Sequence, residues 1–147
     1  MVEYMESGVS LLIGSRSAEL RPASARGFGV EVEAANGTVT VFLAAAGAEV
    51  TLSNLRDNGQ LALTFSRAID YRSLQVKGRV ISITETNERQ QRLQDRYFSL
   101  FCAGLIFGGH QEKLLHRIRY RPSYAVCFRI ESMFDQTPGP GAGRTAS

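Results

Sequence analysis

A chain of 147 residues with 44% hydrophobic and 21% charged side chains fits one ordinary globular domain, and excludes a collagen-like, fibrous or wholly disordered protein. The net charge of +3, from 17 basic and 14 acidic residues, is too small to argue for a nucleic-acid partner. Lys77 and Lys113 are the only lysines, so the remaining basic residues are arginines, whose planar forks suit phosphates and carboxylates.

Up to residue 86 the chain reads as β structure with one inserted helix. Residues 9–15 form a compact apolar strand. A turn at 17–19 leads into a second segment, 20–33, whose Val30-Glu31-Val32-Glu33 end alternates as a half-buried strand does. Asn36-Gly37 is a hairpin signal because both residues tolerate positive φ, and Val39, Val41 and Leu43 then share one face of a third strand. Over residues 47–58 the period changes. Val50, Leu52 and Leu55 fit a short helix, stopped by Asn58-Gly59. Leu61, Leu63 and Phe65 alternate in a fourth strand, 67–72 is a loop, and 73–84 is a long fifth strand in which Gly78 marks a bend or a close backbone approach.

From Asn87 the pattern is helical. Thr86 or Asn87 caps the amino end, and Leu93, Tyr97, Leu100 and Phe101 recur at helical spacing. A second short helix is expected at 111–117 and a last strand at 124–132, while the Pro/Gly-rich tail 136–147 is expected to lack regular structure. Short turns between successive strands favour antiparallel pairing, and six short strands with alternating faces close into a small barrel. The expectation is a mainly β, six-stranded antiparallel barrel, one domain over 1–135 with a helical excursion at about 87–117.

The usual enzyme signatures are missing. There is no GxSxG elbow for a serine hydrolase, and Gly27-Phe28-Gly29-Val30 runs on into a strand instead of opening a helix, so neither a Rossmann site nor a P-loop is supported. His110 and His116 do not have the i, i+4 spacing that sets two metal ligands on one helix face, and no metal site is expected. Cys102 and Cys127 lack CxxC spacing and read as buried thiols in a reducing compartment. No apolar run is long enough to cross a bilayer. The excess of arginines in the helical excursion reads as a solvated face or a dimer rim, and the expected location is cytoplasmic.

Three segments carry more chemistry. Arg21-Pro22-Ala23-Ser24-Ala25-Arg26 opens a strand, residues 51–58 form the short helix, and Arg72-Ser73-Leu74-Gln75-Val76-Lys77-Gly78 opens a later strand. Hydroxyls, amides and guanidinium groups on such neighbours together suit a phosphate and a polar ring edge.

In this order and spacing the segments resemble the pyridoxamine 5'-phosphate oxidase-like, FMN-binding split barrel superfamily. The resemblance runs from about Gly8 to Ile83 and is carried most specifically by the NLRDNGQLALTF run from Asn54 to Phe65 and by SLQVKGRV from Ser73 to Val80. It implies a split barrel and a homodimer with FMN at the subunit interface, acting as an FMN-dependent oxidoreductase on a small molecule. It also implies cofactor contacts from Ser24, Ala25 and Arg26, from Thr51 at the helix start, and from Ser73 and Gln75. Many members carry a basic residue where this chain has Thr51, so the phosphate charge falls to Arg26, Arg67, Arg72 or Lys77, or to the partner chain. Alternatives on the same fold are a non-enzymatic flavin carrier or sensor, a deazaflavin-dependent reductase, and a haem protein using His110 or His116. The substrate residues of the true oxidases have no match here.

Overall fold

The computed structural model describes residues 1–147. Six strands close into one antiparallel barrel: β1 (Ser10–Arg16), β2 (Pro22–Glu33), β3 (Thr38–Ala44), β4 (Gln60–Ser66), β5 (Ser73–Glu85) and β6 (Ser123–Asp135), in the order β3-β2-β1-β4-β5-β6 with β3 pairing back onto β6. Closure removes the open edges that an apolar sheet would leave exposed. Inward positions alternate along each strand: Leu11 and Ile13, Val39 and Val41, Leu61, Leu63 and Phe65, Leu74 and Val76, Val126 and Phe128 are all buried in one core.

The helices plug and flank this barrel. Helix α2 (Glu49–Asn58) buries Leu52 and Leu55 in the core and ends at Gly59, whose φ of 68° closes the left-handed cap. Helix α3 (Glu88–Phe107) starts with a complete capping box between Asn87 and Gln90 and lies against β2. Its Tyr97 is buried and donates its hydroxyl to the Val9 and Met5 carbonyls, at 2.8 and 3.2 Å. A one-turn helix, α4 (Glu112–Leu115), follows. No helix is long and apolar enough to cross a membrane.

The structure departs from expectation in three places. An amino-terminal turn of helix, α1 (Val2–Met5), sends Tyr4 and Met5 into the core; four residues are too few to signal a helix by period. The last strand runs on to Asp135, because β5 continues beside it and pairs Leu74 with Asp135. Finally, the tail is not wholly irregular. Arg144–Thr145 form a short strand, β7, against Phe134 and Asp135, on the edge of β6 that β3 has left, and the Ala146 amide donates to the Met133 carbonyl. Tertiary pairing overrides the Pro/Gly composition there.

Gly78 answers the expectation of a close approach. A Cβ at that position would lie 2.2 Å from the Arg129 carbonyl oxygen, beside a register shift between Lys77 and Gly78.

The loop between β4 and β5 is held by charge. Arg67 makes a bidentate pair with Asp70, and this hydrogen bonding, with the adjacent Arg72 amide, holds the Asp70 carboxyl down at about 2. A carboxyl titrating below its ordinary value of 3.8 keeps its pairing above that range and loses it as the pH falls through about 2. The Asp70 carboxyl carbon, followed by NMR, is therefore expected to titrate at about pH 2. An ordinary midpoint near 4 would mean that the loop clamp is absent in solution.

Candidate functional site

The outward faces of β2, β1, β4 and β5 form one continuous surface whose rows follow from strand register. Ser24 pairs with Gly14, Gly14 with Ala62, and Ala62 with Lys77. The adjacent row runs Arg26, Leu12, Thr64, Gln75, Phe134 and Thr145. A third contains Ser10, Ser66 and Ser73. Small residues at Gly14 and Ala62 keep the first row low, and a groove of about 710 Å³ opens over it, bounded by Ser15, Arg16, Ser24, Gln60 and Lys77. That volume lies within the range of small-molecule sites.

The rim of the groove is built from α2. The Asn54 amide donates to the Ser15 hydroxyl at 3.2 Å and the Asn58 amide to the Arg16 carbonyl at 2.8 Å, while the Arg16 guanidinium donates to Gln60 at 2.8 Å. The helix therefore sets the position of the β1 end that edges the groove.

Two cations on this face have no carboxylate partner. Arg26 is exposed, takes part in none of the ion pairs, and rests its guanidinium 5.6 Å from the centre of the Phe101 ring. Lys77 is likewise exposed and unpaired, with its ammonium 5.1 Å from the Phe134 ring. Aromatic rings steady both cations without neutralising them. The Gln75 amide donates to the Thr64 hydroxyl at 3.3 Å and keeps its carbonyl oxygen for another partner.

The residues singled out from sequence divide accordingly. Ser24, Arg26, Ser73 and Gln75 lie on the same outward face. Ala25 is buried beneath it and contributes through its ladder with Ile13. Thr51 is buried in the first turn of α2, closed to a ligand approaching from outside this chain. Arg67 and Arg72 lie in the loop past the Ser66–Ser73 pair, one row beyond Gln75. Arg67 is committed to Asp70, and the two guanidinium groups stand 5.5 and 4.4 Å from the Tyr4 ring centre. Leu12, Gly14, Ala62 and Thr64 complete the surface and were missed by the sequence reading. Their signal is the outward half of the β1 and β4 alternation, which acquires meaning only when register sets it beside Ser24 and Arg26.

The other candidate chemistry recedes. Cys102 and Cys127 are free, and burial pushes the Cys102 thiol up, away from thiolate reactivity. His116 lies 3.5 Å from Glu112 near α4, and no three His, Cys, Asp or Glu side chains come together as a metal site.

No family model and no curated protein matches the chain by sequence. Solved structures do match in shape. An F420 reductase superposes with a TM-score of 0.59 at 14% identity, over 89% of this chain and 93% of its own. An FMN-binding protein from Syntrophomonas wolfei gives 0.54 at 14% identity, over 90% and 83%. A pyridoxinephosphate oxidase family protein from Clostridium acetobutylicum gives 0.52 at 15% identity, over 99% and 89%. Each match covers 89% or more of this chain, and in fold this chain is similar to these split barrels, the pyridoxinephosphate oxidase family protein among them.

Proposed function

We propose that this protein binds FMN in the groove over β1, β2, β4 and β5 and acts as an FMN-dependent oxidoreductase on a small molecule, as a homodimer whose second chain covers the open side of the groove. The observation that carries this reading is the pair of unpaired cations, Arg26 and Lys77, on one exposed sheet face with Ser24 and Gln75. Arg26 beside the Ser24 hydroxyl on β2 matches a phosphate monoester, Lys77 and the Gln75 amide stand across β1 and β4 from it on β5, and the exposed Leu12 and the Phe134 ring supply apolar surface for a ring system. The flavin, when bound, supplies the redox chemistry. Arg26 holds the anionic end, and Lys77 and the groove floor face the ring. Shape neighbours that include an FMN-binding protein support the choice of cofactor. The two free thiols fit a reducing cytoplasm.

The purified protein is expected to be yellow, to run at twice its chain mass, and to quench FMN fluorescence when stripped and titrated. Reduction of the bound flavin by NADH or NADPH and its reoxidation by a substrate separate an enzyme from a carrier. A colourless protein that fails to quench FMN overturns the reading. Tight binding of a deazaflavin instead, or a Soret band that disappears on changing His110 or His116, moves the assignment to F420 or to haem.

A further inference from the structure

A second cavity lies along the sheet from the groove, with one residue row between them. The carboxy-terminal half of α3 passes over the start of β1 and the Arg67–Asp70 loop, and encloses about 220 Å³ between Gly8, Ile69, Leu100, Phe101, Gly104 and Leu105. Helix and strand meet closely at Gly8, where a Cβ would fall 2.5 Å from that of Leu100, and then diverge, so that a Cβ on Gly104 would meet nothing within 4 Å.

Its chemistry contrasts with that of the groove. The cavity wall is mostly apolar, and its one charged residue, Arg67, is neutralised by Asp70. Of its hydroxyls, Ser7 already donates to the Tyr4 carbonyl at 2.7 Å and Ser66 is bonded to Ser73 at 3.1 Å, which leaves Ser10. An anion placed here would lose hydration with no free cation in the cavity wall to compensate, whereas an apolar ring gains from burial.

The cavity opens on the same outward sheet face as the groove. The Ser10–Ser66 pair in its wall is four residues along that face from the Gly14–Ala62 pair of the groove floor, about 14 Å, with the Leu12–Thr64 row between them. Phe101 lines the cavity and carries the Arg26 guanidinium on its ring.

From this we propose that the cavity between α3 and the β4–β5 loop binds a small, uncharged aromatic molecule of one or two rings, able to share one hydrogen bond with Ser10. Its role as the substrate pocket rests on the flavin reading of the groove. The binding itself does not.

2-Naphthol is the probe, with 2-naphthyl phosphate as its charged counterpart, titrated by calorimetry into the FMN-loaded protein and into protein freed of FMN. The neutral compound is expected to bind at least about tenfold more tightly than the phosphate, and to shift the visible flavin bands of the loaded form. Gly104→Phe fills the open space from a helical position where phenylalanine is preferred to glycine, so it is expected to fold, to keep the wild-type solution mass and FMN affinity, and to weaken 2-naphthol at least about tenfold.

Failure of 2-naphthol to bind, equal binding of the phosphate, or undiminished binding to Gly104→Phe overturns the proposal. A drop of that variant to half the solution mass also overturns it, by assigning the cavity to a second copy of the chain. Loss of FMN binding in the wild type with 2-naphthol still bound removes the flavin reading and leaves the cavity assignment standing.

Discussion

Replacing Arg26 with Ala is expected to weaken FMN binding by about 10- to 100-fold, as read from fluorescence quenching in a titration of the stripped protein. A hydrogen bond to a charged group contributes about 1.5–3 kcal/mol, and roughly 1.4 kcal/mol is a factor of ten in affinity. Arg26 is suited to give the full effect because no carboxylate competes for it. Its only neighbour of note is the Phe101 ring, and it makes no hydrogen bond within the chain that the substitution would break. The variant should therefore unfold at the wild-type temperature. Arg67→Ala is the informative contrast. That guanidinium is already bound in a bidentate pair with Asp70, beyond the groove, so its removal is expected to change FMN affinity by less than about twofold. Equal losses in the two variants would place the phosphate near the β4–β5 loop and away from the Ser24–Arg26 face.

The largest effect on stability is expected at Gly78. The added Cβ of Gly78→Ala would sit 2.2 Å from the Arg129 carbonyl oxygen and 2.7 Å from the ring of Phe128, a fully buried core residue. Neither neighbour can yield without moving a paired strand or the centre of the core. Overpacking of this kind costs roughly 3 kcal/mol or more, enough to lower the urea midpoint strongly. The same substitution at Gly104, in α3 with open space around it, is expected to raise stability by about 0.5–1 kcal/mol, the ordinary helix preference for alanine. Two Gly→Ala changes of opposite sign in one protein separate close approach from propensity. A Gly78→Ala variant as stable as the wild type would mean that β5 and β6 do not pack at this bulge.

How far the sequence could be read depended on how local the governing interaction was. The alternations in β1, β3 and β4 and the helical period around Leu52 and Leu55 are each visible within a few residues, and the barrel is what such strands build. Asn87 and Gln90 cap α3 through contacts three residues apart. By contrast, α1 and β7 owe their existence to partners far along the chain: Tyr4 is hydrogen-bonded to the Phe65 and Arg72 carbonyls, and Arg144 is paired with Asp135. No period or propensity in either segment announces such a partner.

The candidate site divides along the same line. Arg26, Ser24 and Gln75 stood out from the sequence because their residue types suit a phosphate and their segments resemble those of a flavin-binding superfamily. The sequence could not tell Thr51, turned into the core, or Arg67, spent on Asp70, from residues free to meet a ligand. Both outcomes depend on what packs against the side chain, which is a property of the assembled barrel. The sequence by itself determined a β-barrel with an inserted helix, a helical excursion and an arginine on the second strand. Only the tertiary structure decided which cations remain unpaired and that an apolar cavity opens beside them, because register and helix docking bring together residues separated by most of the chain.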